Sequence, residues 1–240
     1  MERFFYLLLL LPAFISALTV HEFAHAWAAH KLGDDTAKNQ GRLTLDPMVH
    51  LDPIGTLLIV VAILFNAPLI GWAKPVPFSM RNLNHPRRDA ILIAIAGPIS
   101  NVLQAIIWLL LLVIFRFAMQ QAGYNFDEGA AIDILNRSPD VTSIPSIVAT
   151  ILTTGVLTNV GLAVFNMIPI PPLDGHYVLE GLGPPFIADF YNTIRPFSFF
   201  ILLLLIQTPF LREAMFPFIH LANKMVLAAF GISGLDLGYS

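Results

Sequence analysis

Residues 4–29 form an apolar run long enough to cross a bilayer as a helix, yet the run contains His21, Glu22 and His25. Ionisable side chains in hydrocarbon are expensive, so three of them within five residues point to chemistry. Positions four apart share a helix face, which lets His21 and His25 aim at one point with Glu22 on the adjoining face. His21-Glu22-Phe23-Ala24-His25 has the H-E-x-x-H pattern of helical zinc sites, two imidazole ligands and a carboxylate able to act as base. The alternative is a chance match in which both histidines are merely satisfied, and the membrane setting weighs against it. Arg3, the apolar stretch after it and the small residues Ser16 and Ala17 loosely resemble a cleaved leader, but the apolar pattern continues past the motif to Trp27 and Ala29.

The rest of the chain is similarly apolar. Of 240 residues, 56% are hydrophobic and only 12% charged, and the mean hydropathy of +0.72 lies outside the range of ordinary soluble domains. These values imply an all-α polytopic membrane protein. A net charge of -3 and the lack of any Lys/Arg-rich run exclude a nucleic-acid binder. There is no cysteine, so a metal would have to be held by His, Asp, Glu or Asn.

About six apolar segments follow from the pattern, at residues 4–29, 54–70, 90–115, 146–168, 190–206 and 214–232. The second is broken by Asn66 and Pro68 and either crosses or re-enters the membrane. Seven of the thirteen Lys/Arg lie between Lys31 and Arg88, which argues that both flanks of that segment face the cytoplasm. Gly41-Arg42-Leu43-Thr44-Leu45 alternates as a short strand would, and residues 74–80 also read as strand-like, so both are expected to pair with an extended substrate. The polar loop at 116–145 is too small for an appended domain. The whole of residues 1–240 therefore reads as a single membrane-embedded domain.

A catalytic zinc usually has three protein ligands and one open position. The third is sought where another ionisable group meets an apolar segment. Residues 146–168 end in Pro169-Ile170-Pro171-Pro172-Leu173-Asp174-Gly175-His176, where the prolines break the helix and leave a stretch that must be buried or line a cavity. Asp174 is the leading candidate and His176 the second, with His176 as an outer partner or substrate contact otherwise. Taken alone, Asp174 reads better as a helix N-cap, and the presence of the His21/His25 pair reverses that balance. Zinc would acidify a bound water, Glu22 would take its proton and return it to the leaving amine, and Asn166 could donate to the oxyanion or to an extended substrate. The Thr-rich face of 146–168 reads as helix packing. Gly97-Pro98-Ile99-Ser100-Asn101 reads equally as a locally repaired kink or as part of the site.

The pairing of His21–His25 with Asn166-Met167-Ile168-Pro169-Ile170-Pro171-Pro172-Leu173-Asp174-Gly175 resembles the two signature motifs of the site-2 protease family of intramembrane zinc metalloproteases. Gly71-Trp72-Ala73-Lys74-Pro75-Val76-Pro77 and Ala96-Gly97-Pro98-Ile99-Ser100-Asn101 resemble the compact bacterial branch of that family. The resemblance implies one zinc held by His21, His25 and Asp174, with Glu22 as catalytic acid/base. It also implies single-span membrane protein substrates cut in or near the bilayer after local unwinding, and a place in the bacterial cell membrane. The chain departs from some branches in lacking PDZ-like and nucleotide-sensing domains, and in carrying His176 where many members have a small residue.

Two other function classes compete. Gly231-Ile232-Ser233-Gly234 is similar to the nucleophile motif of rhomboid-type serine proteases, although no His-bearing span follows it. A non-proteolytic zinc-holding scaffold, or a transporter using His and Asp as an ion path, would also place ionisable groups in the membrane, but a transporter would be expected to show internal repeats.

Overall fold

The computed structural model describes residues 2–64, 73–136 and 138–232. Ten helices lie among them: α1 Glu2–Lys31, α2 Thr36–Asn39, α3 Pro53–Leu64, α4 Pro86–Gln121, α5 Glu128–Leu135, α6 Ile144–Asn166, α7 Gly175–Leu182, α8 Pro185–Ile194, α9 Ser198–Ile206 and α10 Pro209–Ala229. Among the described residues, four stretches are long and apolar enough to cross a membrane: Leu7–Lys31, Pro86–Gln121, Ile144–Asn166 and Pro185–Ile206. The two remaining segments expected from the sequence do not add to that number. The 54–70 segment is described only as far as residue 64, and α10 carries Arg212, Glu213 and Lys224.

Helices α1, α4 and α6 pack against one another, with α7 laid on α4 and α10 on α6. The reason is legible on α4. Its buried stripe of Ala90, Ile93, Ala94, Gly97, Pro98, Asn101 and Ala105 recurs at helical spacing and is made mostly of small residues. Its other face shows Leu103, Ile107, Leu110, Ile114 and Phe117 to the outside. Large apolar groups outside and small or polar groups inside are the distribution expected in lipid, where close backbone approach and interhelical hydrogen bonds drive association. Gly155 on α6 shows how close that approach is, since an added Cβ would stand 2.5 Å from Cγ of Trp108 on α4. The threonines of α6 behave as packing residues: Thr150, Thr153 and Thr154 are buried, and the Thr150 hydroxyl donates to its own helix at Ser146 O, 2.7 Å away.

No β-sheet forms among the described residues. Residues 41–45 are turn and bend, residues 74–79 are extended without a ladder, and β pairing is limited to an isolated antiparallel bridge between Leu51 and Ala73. Asp34 fastens this loop region. Its buried carboxylate accepts from Thr36 N at 3.0 Å, Thr36 Oγ1 at 2.5 Å, Ser79 N at 2.6 Å and Asn82 Nδ2 at 2.8 Å, joining the end of α1 to the approach to α4.

Candidate metal centre

One turn of α1 separates His21 from His25, and their rings meet edge-on with centroids 4.6 Å apart. Both side chains are buried. Their Nε2 atoms lie 3.0 Å apart. The Asp174 Oδ2 atom completes a triangle at 3.2 Å from His21 Nε2 and 3.3 Å from His25 Nε2. Ligand atoms about 2.0–2.1 Å from a tetrahedral zinc stand about 3.4 Å from one another, so the three edges suit such an ion.

The hydrogen bonds behind the rings decide what the triangle can hold. His25 Nδ1 lies 2.8 Å from the Ile93 carbonyl of α4, which can only accept, so the proton of the neutral ring sits on Nδ1. His21 Nδ1 lies 2.6 Å from Asn101 Oδ1. An amide can turn either way, but Asn101 Nδ2 donates to Asn159 Oδ1 at 2.9 Å and to the Ala17 carbonyl at 3.2 Å. Asn159 Nδ2 in turn donates to the Gly155 carbonyl at 2.9 Å. A backbone acceptor on α6 thus orients Asn159, Asn159 orients Asn101, and Asn101 fixes the Nδ1–H tautomer of His21. Both Nε2 lone pairs then face a buried carboxylate oxygen that has no hydrogen-bond donor. Three electron pairs converging with no proton between them are costly unless a cation is shared, and two imidazole nitrogens with one carboxylate oxygen are a donor set that zinc accepts.

Backbone shape makes the convergence possible. Gly97 of α4 lies over the rings, where an added Cβ would clash with His25 Nε2 and stand 2.6 Å from His21 Cε1. After α6 the chain doubles back through turns at Ile168 to Leu173. Gly175 permits this, because its Cβ would collide with the Met167 carbonyl. Asp174 makes no capping hydrogen bond to α7, leaving its carboxylate to the histidines. Glu22, also buried, accepts the Val76 backbone N–H at Oε2, 3.0 Å away.

The other candidates lie differently. Asn166 uses one amide hydrogen on its own helix, at Leu162 O, 3.0 Å away. His176 points Nδ1 at the Leu173 carbonyl, 2.6 Å away, and its ring sits against Tyr177 and Tyr191. Burial pushes the His176 imidazole below its ordinary pKa, with the Leu173 carbonyl opposing. Both readings of the Pro98 region hold at once: Ser100 Oγ repairs the helix locally by donating to Gly97 O at 2.7 Å, while Asn101 serves the site. Gly71, Trp72, Ser233 and Gly234 lie outside the described residues.

The sequence profile of Peptidase family M50 matches residues 9–205. The chain belongs to that family. Among similar proteins, one of Bacillus subtilis (strain 168) named "Putative zinc metalloprotease YwhC" is 37% identical over 235 residues, covering 96% of each chain. "Putative zinc metalloprotease Rip2" of Mycolicibacterium smegmatis is 27% identical over 213 residues, covering 89% of this chain and 72% of the relative. No solved structure is significantly similar. Zinc is the metal of this M50 protein, and His21, His25 and Asp174 lie close enough to hold it. Asn159 was not singled out by sequence reasoning, since an asparagine in a membrane helix reads first as packing, and Gly97 entered it only within the Gly97–Asn101 stretch.

Proposed function

We propose that this chain is a single-domain intramembrane endopeptidase of the bacterial cell membrane that cuts single-span membrane proteins. His21, His25 and Asp174 are the zinc ligands. The observation that carries the reading is the pair of oriented Nε2 lone pairs facing the donorless Asp174 Oδ2 inside an apolar bundle. When bound, zinc supplies Lewis acidity toward water and toward a peptide carbonyl.

The chain's own residues supply the rest. Glu22, one position from His21, accepts the proton of the attacking water and passes it to the departing amine as the C–N bond breaks. The Val76 N–H steadies that carboxylate through Oε2. Closely packed α1, α4 and α6 keep bulk water from the donors, which strengthens each interaction among them. His176, bonded through Nδ1 to the Leu173 carbonyl, braces the proline-rich turn that presents Asp174, while Asn166 keeps its amide hydrogen bond within α6 at Leu162 O.

Purified wild type, Glu22→Gln and Asp174→Ala are compared for bound zinc and for cleavage of a panel of single-span substrates. One zinc in wild type and in Glu22→Gln, with cleavage reduced about 10²–10⁴-fold in the latter, is the expected result. Equal cleavage by both proteins removes Glu22 from the chemistry, and unaltered zinc affinity in Asp174→Ala removes the third ligand.

A further inference from the structure

Arg42 is only 5% exposed although it sits in the loop after α2. Its backbone is pinned there, Arg42 N donating to Ala37 O at 2.9 Å. Its Nη2 donates to the Lys74 carbonyl at 2.5 Å, while its Nε is buried and has no partner. Burial pulls the guanidinium pKa down, and the charge of Glu22 opposes that pull. A buried cation with an unsatisfied donor is costly to keep, which makes a purely structural explanation insufficient.

The segment that Arg42 grips leads to the Glu22 carboxylate. Lys74 N donates to His50 O at 2.9 Å, and Lys74 O receives Arg42, so both backbone groups of Lys74 are held. Two residues on, Val76 N reaches Glu22 Oε2. Pro75 and Pro77 flank Val76, restricting the backbone and leaving Val76 with the one N–H of these three residues. Any slip of Lys74 is therefore transmitted to the hydrogen bond on Glu22.

We propose that Arg42 is a positioning residue of the proteolytic reaction: it clamps the Lys74 carbonyl so that Val76 N–H holds Glu22. The proposal deepens the reading of Glu22 as the proton carrier and rests on it.

The test uses the full-length, zinc-loaded protein. Arg42→Gln keeps an N–H donor and removes the charge, whereas Arg42→Lys keeps the charge and loses the planar fork. Arg42→Gln is expected to retain one zinc and an unchanged KM while kcat falls by up to about 100-fold, the effect of roughly an ångström of misplacement at a reacting group. Arg42→Lys restores part of kcat. A wild-type kcat in Arg42→Gln, or a rise in KM with kcat intact, overturns the proposal.

A second measurement is independent of chemistry. Melting temperatures of Arg42→Gln, Glu22→Gln and the double variant should be non-additive, since both residues hold the one Lys74–Val76 segment. Strict additivity overturns the coupling of Arg42 to Glu22 through that segment. If Glu22→Gln itself cleaves normally, the reading of Glu22 fails, while the melting cycle still reports whether Arg42 and Glu22 are coupled. Where Arg42→Gln does not accumulate, Arg42→Lys takes its place in both the kinetic test and the melting cycle, and a wild-type kcat there together with additive melting sinks the idea.

Discussion

Adding one methyl group at Gly97 should weaken zinc binding by about 5- to 150-fold. The new Cβ would lie 2.6 Å from both His21 Cε1 and His25 Cε1, and nearer still to His25 Nε2. Carbon atoms in contact prefer about 3.5–4.0 Å, so something must move by about 1 Å. The rings cannot swing freely, because His21 Nδ1 is tied to Asn101 and His25 Nδ1 to Ile93 O. The strain therefore falls on the spacing of α1 and α4 or on the ligand triangle, whose distances tolerate only about 0.2 Å in a metal site. Overpacking of this kind costs about 1–3 kcal/mol. If losing the ion relieves it, affinity falls by about 5- to 150-fold, at roughly 1.4 kcal/mol per decade. Zinc affinity is read by competition with a chromogenic chelator on detergent-purified Gly97→Ala, with zinc stoichiometry and melting temperature measured in parallel. Gly161→Ala is the control, since its Cβ would meet only Ile219 Cδ1 at 4.0 Å. Wild-type zinc affinity and cleavage in Gly97→Ala would refute the close approach on which the whole site is built.

Further outcomes follow from other contacts. Asn101→Leu and Asn159→Leu should each weaken zinc binding by about 10–100-fold, and the double variant should be little worse than either, because both act through one tautomer; chelator competition reads this, and an unaffected Asn159→Leu would contradict the relay. Burial raises the Asp34 carboxyl pKa, but the hydrogen bonds from Thr36, Asn82 and Ser79 outweigh it and hold the group below its ordinary value of 3.8. With the folded value depressed, Asp34 contributes stability that is fully present above the unfolded value, about pH 4, and is lost as pH falls through the folded value. Melting temperature in mild acid should thus decline more steeply in wild type than in Asp34→Asn, and parallel curves would count against this fastening.

How much of this was readable without coordinates depends on the range of the interaction. The three groups on α1 share a spacing that any helix enforces, so periodicity alone brings His21 and His25 together. Asp174 was legible because a carboxylate beside a proline-broken apolar segment is costly without a partner. The strand-like alternation at 41–45 misled for the complementary reason. A strand needs a neighbouring strand, and these residues instead bend so that Thr44 O accepts from His50 Nε2 at 2.8 Å and Arg42 reaches Lys74.

The amino-acid sequence by itself determined that this chain enters a membrane as helices and that one of them carries a half-built zinc site, because burial cost and helical period are local properties. Tertiary structure decided the rest. It chose Asp174 over His176 for the third corner, gave Asn101 and Asn159 their direction, and pressed Gly97 against the imidazoles. Each of those depends on how three helices lie against one another, which no local spacing encodes.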